Sequence, residues 1–169
     1  IMRITELFDN GQFVVTAEVG PPKGIDASHV VNEAKEYLSG ITAVNVTDNQ
    51  SSVMRMGSLP ACVALKNAGL TPILQLTCRD RNRISMKGGL IAANIEDVYD
   101  VLAVTGDKMT ESERTDSKNV FNFNSYKLIN YIKQYLKNLL YIKIGLSILP
   151  EELMAILFLH LKEMLKVNS

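Results

Sequence analysis

The sequence predicts an α/β fold, a TIM-type (β/α) barrel with about five of its eight βα units, and three observations carry that expectation. Four short runs rich in β-branched and apolar residues, 13–19, 42–47, 72–78 and 101–105, alternate with three segments of helical periodicity. Tight turns and breakers separate them, Gly20-Pro21-Pro22 being the strongest. No G-x-G-x-x-G fingerprint follows the first run, so a barrel is favoured over a dinucleotide-binding sheet.

The elements follow in order. After strand one (13–19), Asp26 is placed to cap a helix whose Val30, Val31, Ala34, Tyr37 and Leu38 share one face, with Gly40 past its end. Strand two is 42–47. Ser58 is expected to cap a helix from Leu59, with Pro60 in the first turn, where its missing N–H costs nothing, and Gly69 at C′. Strand three is 72–78. A weaker helix, 83–93, carries Gly88-Gly89, which costs about 2 kcal/mol relative to alanine. Strand four, 101–105, runs into Gly106-Asp107.

Beyond Asp107 the composition changes. Residues 108–119 form a polar loop, and Asn124 is placed to cap a helix reaching about residue 137, with Leu128, Ile129, Ile132 and Leu136 as its stripe. Residues 141–146 read as strand five. Pro150 opens a last helix, 151–166, apolar nearly all round from 153 to 161 and therefore expected to be buried. Residues 1–169 thus form a single partial barrel domain, with 108–169 a diverged tail.

The 169 residues suffice for one domain with a sizeable core. Lys+Arg and Asp+Glu both total 18, and this zero net charge argues against nucleic acid or an anionic membrane as partner. No segment has signal-peptide character or membrane-spanning length, so a cytoplasmic protein is expected. Cys62 and Cys78 form neither a disulfide framework nor a zinc pattern, and both suit small buried apolar positions. His29 and His160 lack a second ligand at metal spacing and read as structural, so no metal is expected.

Chemistry concentrates at the strand ends. Glu18 closes strand one, where a barrel side chain faces the mouth. A carboxylate in apolar surroundings there has a raised pKa and suits a general acid. The commoner role for a strand-end carboxylate is a pair with a cation. Asp107, after Thr105-Gly106, is expected across the mouth from Glu18, with the glycine allowing close backbone approach to a ligand; a turn aspartate is the equal alternative. Thr47, Gln75 and Thr77 end strands two and three, and the Gln75 amide needs partners that a ligand edge or neighbouring backbone would supply. Arg79, Arg81 and Arg83 could hold a phosphate or carboxylate, although pairing with Asp80 on a solvated loop is the commoner outcome. The polar stretch 47–52 between strand two and its helix lies where α/β proteins bind ligands.

Four motifs then occur in register over about 95 residues: Glu18-Val19-Gly20-Pro21-Pro22-Lys23-Gly24, Val46-Thr47-Asp48-Asn49-Gln50-Ser51-Ser52, Gln75 through Arg83, and Leu102-Ala103-Val104-Thr105-Gly106-Asp107. Together they resemble the methylenetetrahydrofolate reductase family, most closely its bacterial and archaeal branch. The resemblance implies a (β/α)₈ barrel that binds FAD and passes a hydride from NAD(P)H, through the flavin, to 5,10-methylenetetrahydrofolate, giving 5-methyltetrahydrofolate. It implies Glu18 as the catalytic general acid and Asp107 as a catalytic aspartate beside the flavin that contacts the folate. It also implies Thr47, Gln75, Val104, Thr105, Gly106 and Asp107 as cofactor-binding positions.

Departures accompany the match. Gln75 stands where some members have histidine, and Gly88-Gly89 falls in a segment that is a regular helix in relatives. A stretch before Leu139 is shortened, residues 142–146 resemble the fifth strand, and the likeness fades after Pro150. Three further βα units have no counterpart. Three readings follow: a flavoenzyme completed by self-association or a partner subunit, a half-barrel binding or scaffold subunit without turnover, and a truncated fragment of the enzyme. Open strand edges predict self-association under each of them.

Overall fold

The computed structural model describes residues 3–109, 117–136 and 145–146. Five strands, β1 (Thr16–Val19), β2 (Ala43–Val46), β3 (Pro72–Thr77), β4 (Asp100–Val104) and β5 (Gly145–Leu146), pair in parallel in strict sequence order. The helices are α1 (Ile4–Asp9), α2 (Ser28–Tyr37), α3 (Ser58–Asn67), α4 (Arg83–Ile95) and α5 (Ser125–Tyr131), the last continued by a wider π-type turn, Ile132–Leu136. A doubly wound sheet reverses its strand order at a switch point. This one never does.

Alternation along each strand sorts the side chains onto two faces. One face carries Val19, Val44, Val46, Leu74, Leu76 and Val101, in a single core with Val30 and Ala34 of α2, Ala61, Cys62 and Leu65 of α3, Met86, Leu90 and Ala93 of α4, and Leu128 of α5. All four crossover helices therefore cover the same face, as uniformly handed βαβ units require in a sequentially ordered sheet. The opposite face holds a smaller apolar cluster of Ala43 and Ile73 with Ile4 of α1. Above it, toward the carboxyl ends of the strands, that face turns polar.

Helix α1 is an element the sequence reading did not anticipate. Its six residues are too few for a clear periodicity, yet Glu6 accepts the Arg3 backbone N–H at 3.1 Å, as a capping residue does. Ile4 is buried against the sheet, and its N–H donates to Asp100 Oδ2 at 3.3 Å.

Several boundaries differ from expectation. Strand one begins at Thr16 rather than 13, and Phe13 is 83% exposed. Strand two proper is Ala43–Val46, with backbone hydrogen bonds to the first strand continuing at Thr42 and Thr47. Asp26 does hold the start of α2, accepting the Ser28 N–H at 2.8 Å, although Ala27 is the residue at the cap position. Ser58 is not a cap. It lies inside α3 after Gly57, and its hydroxyl donates to the Gln75 carbonyl at 2.9 Å, tying α3 to β3. Helix α4 runs unbroken through Gly88-Gly89, because Met86, Leu90 and Ala93 bury a continuous stripe and Asn82 caps the Ser85 N–H at 2.9 Å. Regular α5 ends at Tyr131. The expected strand five is described only at Gly145–Leu146, while residues 110–116, His160 and the expected last helix lie outside the described residues. No described helix is long and apolar enough to cross a membrane.

Candidate functional site

The polar half of the open sheet face is built from neighbouring strands. Glu18 of β1 stands opposite Asn45 of β2 in the parallel register. Asn45 Nδ2 donates to Glu18 Oε2 at 2.9 Å, and Gln75 Nε2 of β3 donates to the same oxygen at 3.2 Å. Two carboxamides thus fix the orientation of a half-buried carboxylate. The surroundings expected to be apolar are polar here. Asn45, missed in the sequence, sits mid-strand between Val44 and Val46 with 8% exposure, and an asparagine in a buried apolar run was the available signal.

The loops above these strands are braced by two ion pairs, each with one buried and one partly exposed partner. Asp48 is buried and accepts the Thr77 N–H at 2.9 Å and both Arg81 Nη atoms, Nη2 at 3.0 Å. Arg79 donates through Nε and Nη2 to Asp80 at 2.7 and 2.8 Å and through Nη2 to the Asn49 carbonyl at 2.8 Å. Hydrogen bonding to Asp80 raises the Arg79 guanidinium above its usual pKa despite burial. The expectation of a solvated arginine loop is corrected twice. Arg79 is 3% exposed, and Arg81 pairs with Asp48 rather than Asp80. Arg83 lies over the Phe123 ring, 4.9 Å from its centroid.

At the end of β4, Val104 pairs beside Thr77. Gly106 adopts φ +85°, and a Cβ there would lie 2.5 Å from Thr77 Cγ2 and 3.0 Å from Arg79 Cβ. Its close approach is to the protein's own β3 end, which is a structural reason for glycine. Thr105 Oγ1 accepts the Ser125 N–H at 3.0 Å at the start of α5. Asp107 is exposed and contributes to the field at Arg79. Two strands separate β1 from β4, so Glu18 and Asp107 arise about 14 Å apart along the sheet.

Two buried polar atoms in this region have no hydrogen-bond partner, Thr47 Oγ1 and Asn45 Oδ1. Thr47 is 3% exposed, with its backbone N–H on the Val19 carbonyl at 3.0 Å. A buried hydroxyl and a buried amide carbonyl left unsatisfied suit a ligand edge that offers both N–H and C=O groups. The pyrimidine edge of a flavin is such an edge, so the residues present fit the group that the resemblance implies.

The cysteines are buried and free. Burial pushes the Cys62 thiol far up and the Cys78 thiol up to about 11, so neither is a nucleophile at neutral pH. His29 is exposed and faces Glu33 at 3.7 Å. No cluster of metal-ligating side chains occurs among the described residues.

A singly wound parallel sheet covered on one face by its crossover helices defines an α/β protein, and its fixed carboxylate and unsatisfied polar atoms lie at the carboxyl ends of the strands, where such folds bind ligands. The chain matches the methylenetetrahydrofolate reductase family over residues 3–155 and belongs to it. That family is built on a TIM barrel, and membership supports an oxidoreductase-like, methylenetetrahydrofolate reductase-like function. A search of curated proteins finds no match.

Proposed function

We propose that the chain carries the flavin and folate site of a methylenetetrahydrofolate reductase, transferring a hydride from NAD(P)H through FAD to 5,10-methylenetetrahydrofolate. The observation that carries this reading is the Glu18 carboxylate, held on the open sheet face by the Asn45 and Gln75 amides. So oriented, Glu18 is placed to serve as the general acid that protonates the folate as its methylene-bridged ring opens. FAD, when bound, supplies the hydride chemistry; the protein positions it and handles the proton. Thr47, Asn45 and Gln75 would meet the flavin edge, joined by backbone at Val104, Thr105 and Gly106. The Thr105 hydroxyl is committed to α5, so that residue would contribute through its main chain. Asp107 would tune the flavin and contact the folate. A cytoplasmic setting accords with two free cysteines.

A second reading has support in the sheet itself. Five strands are described where a closed barrel has eight, and among the described residues β1 and β5 each pair on one side only. The remaining wall lies outside the described residues, and self-association or a partner subunit would be one source of it. Without it the chain is a half-barrel binding subunit or a fragment of the enzyme. The purified protein is expected to take up FAD with a bound-flavin absorbance and to be larger than a monomer by light scattering. A colourless protein that binds no added FAD overturns the flavoenzyme reading, and a monodisperse monomer overturns the association.

A further inference from the structure

A second cavity, of about 410 Å³, lies at the amino ends of β3 and β4. Lys66 near the end of α3, Pro72 at the start of β3, Asp97 and Tyr99 between α4 and β4, Asp100 at the start of β4 and Arg3 ahead of α1 line it. The six residues of β3, about 17 Å of strand, separate it from the site at the carboxyl ends. The two share no residue.

Some of the charges around this cavity are already matched. Asp97 accepts the Tyr99 hydroxyl, and the Arg3 guanidinium lies 5.3 Å from the Tyr99 ring centroid with Glu6 3.9 Å away. Asp100 and Lys66 remain. Asp100 is 4% exposed; its Oδ2 accepts the Ile4 N–H, while Oδ1 is buried with no partner. Burial lifts this carboxyl from 3.8 to about 6, so it is still an anion at neutral pH. A buried carboxylate oxygen without a donor is costly and points to a donor from outside the chain. Lys66 donates to the Glu96 carbonyl and, among the described residues, forms no ion pair.

An unmatched anion and an unmatched cation thus line one cavity without pairing with each other. A molecule that carries both charges would meet both. One water would not, because it bears no charge and its share of volume is only ~30 Å³.

We propose that this cavity binds a free α-amino acid as its zwitterion, the ammonium group directed to Asp100 and the carboxylate to Lys66. Arg3 and Lys66 balance Asp97 and Asp100, so the lining favours a ligand with no net charge over a simple anion or cation. Pro72, Val98 and Tyr99 offer apolar surface to a side chain. The inference needs neither bound flavin nor turnover, so it stands or falls separately from the reductase reading.

Calorimetric titration of the full chain at neutral pH with glycine, L-leucine, L-leucinamide and N-acetyl-L-leucine tests it. Leucine is expected to bind more tightly than glycine, and the amide and the acetylated form at least ~tenfold more weakly than leucine. Leucinamide binding as tightly as leucine would make the site an ammonium pocket, and N-acetyl-leucine binding as tightly would make it an anion pocket. Either result overturns the zwitterion assignment. Absence of binding by both leucine and glycine leaves the cavity to solvent and overturns the proposal. Asp100→Asn keeps an acceptor for the Ile4 N–H while removing the charge, and Lys66→Gln removes only the cation. Each is expected to weaken leucine about tenfold, with urea midpoints confirming that both variants fold. Leucine affinity unchanged in either folded variant overturns the proposal.

Discussion

The Gln75 carboxamide reaches the Glu18 carboxylate at 3.2 Å, although the two residues stand on β3 and β1 with all of β2 between them. Two strand spacings are about 9.6 Å, so only long side chains leaning over Asn45 close that gap. The contact makes Glu18 part of a three-strand unit whose geometry depends on the sheet.

Glu18→Gln is expected to lower folate reduction at least ~100-fold while leaving flavin reduction by NAD(P)H largely intact. Stopped-flow measurement of the two half-reactions separates them. Equal loss of both would make Glu18 a structural residue.

Gly106→Ala is expected to destabilise the fold by about 3 kcal/mol, because a Cβ would press on Thr77 and Arg79 at a positive φ. Gly88→Ala should do the opposite and stabilise by about 1 kcal/mol. It lies inside α4, and nothing lies within 4 Å of its would-be Cβ. Urea denaturation of the two variants compares them directly, and a neutral Gly106→Ala would refute the packing argument.

Arg81→Leu leaves the buried Asp48 carboxylate without its cation and is expected to cost about 3 kcal/mol. Arg81→Lys should fall between, since a lysine cannot reproduce the two-point contact. Thermal denaturation reads both. Wild-type stability in Arg81→Leu would show that the pair is screened by solvent.

Burial raises the Asp100 carboxyl from 3.8 to about 6, opposed by the Ile4 N–H and Arg3. A carboxyl whose folded pKa lies above its unfolded value favours folding below pH 3.8, and that contribution is lost as pH rises through about 6. At neutral pH the ionised group therefore costs about 3 kcal/mol. Asp100→Asn, whose carbonyl can still accept from Ile4, should raise stability at pH 7 and flatten the pH dependence between 4 and 6. Denaturation midpoints across that range provide the check, and an unchanged slope would contradict it.

Much of the architecture was legible because it is repetitive. The β-branched runs ending at Val19, Thr47, Cys78 and Thr105, within one residue of the observed strand ends, each sit between breakers and helical stripes, and periodicity marks such elements without any knowledge of neighbours. Helix α1 escaped because its six residues make fewer than two turns, and its stability comes from Ile4 docking on the sheet. Ser58 misled for a related reason. A serine at a helix start looks like a cap, but the Gln75 carbonyl, seventeen positions away, was the stronger claim on its hydroxyl.

The candidate site was legible as a set of residue types and not as a network. Glu18, Thr47 and Gln75 stood out by ending strands, and the structure places them at the carboxyl half of the sheet. Asn45 did not stand out, because a mid-strand amide gains meaning only when a carboxylate on the next strand faces it. Gly106 stood out as a point of close ligand approach, and its packing against Thr77 and Arg79 is a further reason for glycine that no local pattern shows.

The sequence alone determined the alternation of strand and helix, the positions of the strand ends and the family that carries those motifs. All of these are local patterns written in consecutive residues. The tertiary structure decided which charges neutralise one another, that Arg81 goes to Asp48 while Arg79 keeps Asp80, and which polar atoms remain for a ligand. Those outcomes depend on strand register and loop path, which bring residues some thirty positions apart within hydrogen-bond distance, and no local pattern encodes that.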